Sequence, residues 1–270
     1  DLTSLGPFAG RWITEKDNYM MNIKANILGL AVLILAIMPA YSAVVWQDEF
    51  NEATIDRETW GYDYGGGGFG NGQLEFNTAR SENVYIETDN GDGSGSLVLQ
   101  ARDETFTGAG VTREFTSARV NTQGRFAFKY GTLEARIQLP DTANGLWPAF
   151  WLLGNNFPGI AWPNGGEIDI MEHWGHNQNY ISSAMHTPSS SGATVNHGGQ
   201  TISTASTGFH VYTVEWTSEK MVFSVDGVVH YTYNPVVKDA STWPYDAEQY
   251  LLLNIAIESS IQASFTQSAM

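Results

Sequence analysis

Gly165-Gly-Glu-Ile-Asp-Ile-Met-Glu172 sets three carboxylates among apolar side chains, behind a pair of glycines. Read as a β-strand, successive side chains take opposite faces, so Glu167 and Asp169 share one face while Ile168 and Ile170 share the other. Glu172 stands three positions beyond Asp169, and a regular strand would turn it to the apolar side. One extra residue inserted as a β-bulge, with Met171 in that role, returns Glu172 to the carboxylate face. The stretch is thus predicted to be a bulged strand presenting two outer acids around a central one. The plainer alternative is a half-solvated strand whose outer face happens to be acidic.

Outward from this strand, short apolar/polar alternations recur between turn residues. Strands are predicted at 83–87, 96–101, 117–122, 125–128, 131–138 and 150–153. Further ones are predicted at 167–172, 181–186, 208–216, 221–225, 228–233 and 250–257. Asp226-Gly227 between two such runs is a hairpin signal, and no segment carries a long helical period. Many short strands with glycine-rich turns imply an all-β sandwich or jelly roll. Gly65–Gly68 has no Gly-Lys-Ser/Thr after it and reads as a flexible loop rather than a phosphate cradle.

The 270 residues include no cysteine, which excludes a disulfide framework and thiolate chemistry. Residues 21–43 read as an export signal: Met21 and Lys24, an apolar run from Ile27 to Ile37, then the small-x-small Ala40-Tyr41-Ser42. The run is too short for a transmembrane span. Residues 1–20 read as an upstream segment before the true start. Residues 44–270 then form one domain, secreted or periplasmic, monomeric and free of the membrane. The net charge is −16 with or without the first 43 residues. So acidic a surface repels nucleic acid and suits a neutral polymer as partner.

Paired carboxylates on one surface suit retaining glycoside hydrolysis, in which one attacks the anomeric carbon and the other protonates the leaving oxygen. A central aspartate would hold the nucleophile and raise the pKa of the neighbouring acid. Trp147, Trp151, Trp162 and Trp174 fall within 28 residues around the acidic strand. Indole faces pack on the C–H faces of sugars, so Trp147 and Trp162, each adjoining proline, are read as cleft residues. Trp151 stands in an apolar run and is open to a core reading as well. His186 is placed beside the acidic strand as a candidate contact for a substrate hydroxyl. His173, His176, His186 and His197 lack zinc-ligand spacing.

The chain resembles glycoside hydrolase family 16, and within it the laminarinase-like endo-β-1,3-glucanases. The resemblance rests on Trp46–Asn51, Ser117–Val120, Phe128–Ile137, Gly145–Leu153, Gly166–Glu172, Phe209–Trp216 and Val225–Val228. It implies a concanavalin A-like β-jelly-roll with a sugar-binding cleft and retention of configuration. Glu167 is implied as nucleophile, Asp169 as its assistant and Glu172 as acid/base. Trp147, Trp151 and Arg119 are implied near the cut, with Asn71 and His186 as further contacts. No cofactor is implied beyond a structural calcium, with Glu49 a possible ligand. Met171 marks the bulged branch of the family, which also contains agarases. Mixed-linkage glucan or a galactan is the alternative substrate, since loop detail decides specificity, and a non-catalytic carbohydrate-binding sandwich is the alternative from another class.

Two departures stand out. Asn71-Gly-Gln-Leu-Glu-Phe76 exchanges the polar order of the family's Asn-Asn-Glu-Leu-Gln-Tyr. The chain also stops at Met270, where the family continues into a last strand, so a missing terminal strand is expected.

Overall fold

Thr132-Leu-Glu-Ala-Arg-Ile137 alternates between a half-buried polar face and a fully buried apolar one, and it forms the strand Gly131–Ile137. Repetition of this pattern builds the fold in the computed structural model, which describes residues 13–15, 43–91, 93–140, 144–260, 263, 265 and 267–270. Apart from 13–15 and 43, the expected upstream segment and export signal lie outside the described residues.

One sheet runs Val228–Tyr233, Met221–Val225, His210–Trp216, Gly131–Ile137, Ile13–Glu15 and Ala43–Val44. A second sheet runs His197–Thr201, Tyr180–His186, Glu167–His173, Leu146–Gly154, Gln249–Ile257, Arg119–Asn121 and Gly61–Tyr62. All pairings in both sheets are antiparallel. Between them lies one apolar core, with Leu133, Tyr212, Val214 and Phe223 from the first sheet against Phe150, Ile168, Met185 and Leu253 from the second. Burying each such side chain stabilises the fold by roughly 1.5–3 kcal/mol. This is the all-β jelly-roll sandwich.

A third set of strands comprises Gln267–Ala269, Ser96–Gly108, Val111–Ser117 and Glu75–Asn77, with Val84–Glu87 pairing to Ser96–Gly108. Its final strand, Gln267–Ala269, lies antiparallel to residues 100–102.

Most expected strands are present within a residue or two of their predicted limits, and the Asp226-Gly227 turn has both residues at positive φ, as its hairpin requires. The strand expected at 125–128 is absent. Arg125 and Phe126 instead donate their backbone N–H groups to the Thr122 carbonyl, closing a turn around Gly124 at φ +69°, and only Phe128 bridges across, to Gln249. The strand expected at 117–122 is Arg119–Asn121, with Ala118 separating it from Val111–Ser117. A single 3-10 turn, Gly175–Asn177, follows the acidic strand.

Candidate active site

Glu167–His173 sits in the middle of the seven-stranded sheet, between Leu146–Gly154 and Tyr180–His186. The expected bulge is present. Asp169 opposes Ala184 and Glu172 opposes Ser182, so Ile170 and Met171 together face the single residue Ser183. On the other side Asp169 pairs with Trp151 and Met171 with Phe150, which makes Ile170 the residue skipped there rather than Met171. Both bulge residues enter the core, and Glu167, Asp169 and Glu172 share the outer face. Had the strand been regular, Glu172 would have entered the core.

Cross-strand neighbours on that face are Leu153 opposite Glu167, Trp151 opposite Asp169 and Ala149 opposite Glu172. The next strand adds Leu252, Asn254 and Ala256. Leu153, Tyr250 and Leu252 form a small apolar patch there, with Trp151 packed against it. This resolves the reading left open for Trp151: it lies on the outer face, and its indole N–H donates to Asn254 Oδ1 at 2.7 Å. Arg119 lies over the same ring at 4.8 Å and over Phe69 at 5.0 Å, with Asp63 pairing its Nε at 2.7 Å.

Each outer acid receives an indole N–H. Trp162 donates to Glu167 Oε2 and Trp147 to Glu172 Oε1, both at 3.0 Å. His186 Nε2 lies 3.0 Å from Asp169 Oδ2 and 3.6 Å from Glu167 Oε1. Six of the nine residues expected at the site (Glu167, Asp169, Glu172, Trp147, Trp162 and His186) are thus in direct contact with one another in pairs, and Trp151 and Arg119 adjoin them. Asn71 is the exception. It is exposed in the glycine-rich loop, and its side chain makes no hydrogen bond among the described residues.

Burial governs the electrostatics. It pushes the Glu172 carboxyl up to about 8, with the Asp169 charge adding to the effect and His186 and the Trp147 N–H opposing it. Glu167 is raised as well, first by burial and then by Asp169, while His186 and Arg119 pull it back. Asp169 is raised by burial alone. Three acids this close titrate as a unit and retain protons into the neutral range.

Tyr245 and Asn254 were not anticipated, and Trp174, counted among the tryptophans around the strand, was given no role. Tyr245 donates its hydroxyl to the carbonyls of His186 at 2.8 Å and Glu167 at 3.2 Å, which ties the two strands together at the Glu167 end. Trp174 stacks on Trp147 with ring centroids 4.3 Å apart. The one sequence signal for Asn254 is that it is a polar residue inside the wholly buried run Gln249–Ile257.

Gly166 precedes Glu167 at φ +75°, and a Cβ there would sit 2.5 Å from Tyr245 Cε1. Gly166→Ala is therefore expected to destabilise the fold by about 1–3 kcal/mol through the left-handed backbone alone. Displacement of Tyr245 should add to that, and melting temperature with activity measured on the folded fraction checks it.

Glu75, in the exchanged 71–76 block, is fully buried. It accepts the Ile257 N–H at 2.8 Å and the Asn77 amide at 3.3 Å. Burial raises its pKa from 4.5 to about 7. Between these values the unfolded chain gives up the proton and the folded one keeps it, so stability falls as pH rises through that window, by on the order of 3 kcal/mol in all. Glu75→Gln keeps an acceptor for Ile257 and is expected to flatten this slope in melting experiments between pH 5 and 8.

The structural calcium finds no ready side-chain cluster around Glu49. Among the described residues the one group of three carboxylate or imidazole ligands is Glu167, Asp169 and His186, whose atoms converge within 4.8 Å. Asp48, next to Glu49, is committed to the Phe50 N–H at 2.9 Å and the Trp60 indole at 2.8 Å. Three acid or imidazole side chains do not converge at Glu49 among the described residues, so a calcium there would be held mainly by backbone and amide carbonyls.

A jelly-roll sheet carrying two indole-bonded carboxylates around a third, beside partly exposed tryptophans, defines a glycoside hydrolase. Comparison with known proteins agrees. Residues 72–264 match the sequence profile of Glycosyl hydrolases family 16. The chain is 39% identical over 225 residues to a beta-glucanase of Rhodothermus marinus, covering 79% of this chain and 75% of that one. It is 29% identical over 250 residues to glucan endo-1,3-beta-glucosidase A1 of Niallia circulans, of whose length it spans only 35%. The crystal structure of laminarinase from Flavobacterium sp. UMI-01 superposes with a TM-score of 0.73 at 35% identity, covering 83% of this chain and 95% of that one. The chain belongs to glycosyl hydrolases family 16.

Proposed function

We propose that the chain is a retaining endo-hydrolase of β-1,3-linked glucan, with Glu167 as nucleophile and Glu172 as acid/base. The observation that carries this reading is the bulge, which brings Glu172 to the face of Glu167 and leaves each acid with its own indole donor. Glu167 attacks the anomeric carbon as the glycosidic C–O bond breaks, and Glu172 gives its proton to the departing oxygen. Water then adds with Glu172 taking the proton back, the glycosyl–Glu167 bond breaks, and configuration is retained.

Burial and the Asp169 charge favour the protonated form of both acids, and His186 opposes this at both. Arg119 adds its pull toward the anion at Glu167 alone, the acid that must attack as a carboxylate. Asp169, 3.0 Å from His186, orients that imidazole toward Glu167. Trp151, with Arg119 over it, and the Trp147–Trp174 stack offer ring faces to a sugar chain. The names of the relatives support β-1,3-glucan over other neutral polymers, and the chemistry requires no cofactor. Export, to the periplasm or the medium, is supported by the apolar run and small-x-small sequence at residues 27–42.

The test is product analysis with laminarin, mixed-linkage β-glucan and agarose. Short β-1,3 oligosaccharides from laminarin, absent with Glu167→Gln, are expected. Binding to all three without cleavage of any would instead make this a carbohydrate-binding sandwich.

A further inference from the structure

The bulge in the acidic strand has a counterpart in the opposite sheet. Ser183, the single residue facing Ile170 and Met171, donates its hydroxyl to the Ile170 carbonyl at 2.7 Å. The same oxygen lies 2.8 Å from His230 Nε2. His230 belongs to Val228–Tyr233 in the six-stranded sheet, and it is the residue skipped in that strand's own pairing. Ser224 opposes Val229 there, and Phe223 opposes Tyr231. Two bulges in opposed sheets thus meet across the sandwich through one hydroxyl and one imidazole.

Hydrogen accounting fixes the direction of the chain of bonds. The Ser183 proton goes to the carbonyl, so Nε2 carries the imidazole proton and donates it to Oγ. Burial lowers the His230 pKa to about 4 and keeps the ring neutral in this tautomer. The sheets are close here, since a Cβ on Gly198, the partner of Ser183 on the next strand, would stand 2.8 Å from Tyr231 Cδ2. Ser183 is fully buried. No substrate reaches it, so the Ser–His pair is not a nucleophile and its base.

The alternation of acids and apolar residues confines the bulge to Ile170 and Met171, because a slip to either side would bury Asp169 or Glu172 and turn Ile170 or Met171 outward. It does not set how these two residues share the insertion, and so does not set the exact course of the backbone that carries Glu172. A hydroxyl held by His230 and bonded to the Ile170 carbonyl does set it. We propose that Ser183 and His230 are positioning residues for Glu172, pinning the bulge backbone and with it the place of this carboxyl on the substrate side of the sheet. The inference rests on Glu172 being the acid/base, as proposed above.

Ser183→Ala is expected to lower kcat on laminarin by about 10- to 100-fold with KM little changed, because a displacement of ~1 Å at a catalytic group costs up to about 10²-fold. The second substrate is a dinitrophenyl β-glycoside of a β-1,3-linked glucose disaccharide, whose leaving group needs no proton. Its first step should survive. Added azide should then restore turnover by attacking the anomeric carbon without a base, releasing Glu167 and forming the glycosyl azide. His230→Phe, similar in bulk, should behave like Ser183→Ala, and His230→Gln, which keeps an N–H donor, should recover much of the loss. Melting temperature is followed on every variant.

A loss equal on both substrates with no azide rescue, or no loss on either, overturns the proposal. Glu172→Ala is the control. If it shows leaving-group selectivity and azide rescue while Ser183→Ala and His230→Phe do not, the clamp alone fails. If Glu172→Ala shows neither, the acid/base assignment and the clamp fail together.

Discussion

With Gln in place of Glu167, hydrolysis of a β-1,3-glucan is expected to fall by on the order of 10⁴-fold or more, and no improvement of the leaving group should restore it. The amide keeps the shape of the carboxyl and can still accept the Trp162 indole N–H, now 3.0 Å from Oε2. What it loses is the anion that, in the proposed mechanism, forms the bond to the anomeric carbon. Burial and the Asp169 charge both act against that anion in the folded protein. Removing it should therefore leave the melting temperature unchanged or higher, and the pairing of intact stability with lost turnover separates a chemical role from a structural one. The readouts are kcat/KM on laminarin and on an activated aryl glycoside, with melting measured on the same preparation. Activity within tenfold of the parent on both substrates would mean that Glu167 is not the nucleophile.

Glu172→Gln carries the second large effect, and its signature is different. Loss of the proton donor is expected to cost about 10²–10⁴-fold on a polysaccharide, the usual range for a general acid or base. The first step on the activated aryl glycoside should be nearly untouched. The pH profile supplies an independent check. Burial, reinforced by the Asp169 charge, pushes the Glu172 carboxyl up to about 8, so the group holds its proton below that pH and loses it as pH rises through it. kcat/KM for the parent is expected to decline on that alkaline side. The limb belongs to the coupled acids as a group, and it should disappear in Glu172→Gln assayed with the activated substrate. An unchanged alkaline limb in that variant would remove Glu172 from the acid/base role.

Much of the site was legible in the chain because its key constraint is local. Three acids spaced Glu-x-Asp-x-x-Glu can share a face of one strand only through a bulge, and backbone geometry alone requires this. The particular residue was not legible. Met171 was expected as the insertion, whereas the pairing to Leu146–Gly154 skips Ile170. Both are apolar and adjacent, so nothing in the pattern distinguishes them, and the neighbouring strands decide. The same limit explains the short strands Gly61–Tyr62 and Glu75–Asn77. Glu75–Asn77 is buried, mostly polar and paired in parallel to Val111–Ser117, so it carries no alternation to read. The segment 125–128 shows the reverse case, where an apolar alternation was overruled by the turn at Gly124.

From sequence alone come the all-β class, the period-2 faces, the Asp226-Gly227 hairpin, the acidic face with its bulge and the tryptophans around it. All of these depend on residues within a few positions of one another, where backbone sterics and side-chain period act directly. Tertiary structure alone decided which indole serves which acid. It also decided that Trp151 leans on Asn254, 103 residues away, that Tyr245 ties Glu167 to His186, and that Ser183 meets His230 across the sandwich. Those contacts join strands distant in the chain, and they exist only once two sheets have closed on a common core, because no local preference encodes a partner 47 or 103 residues away.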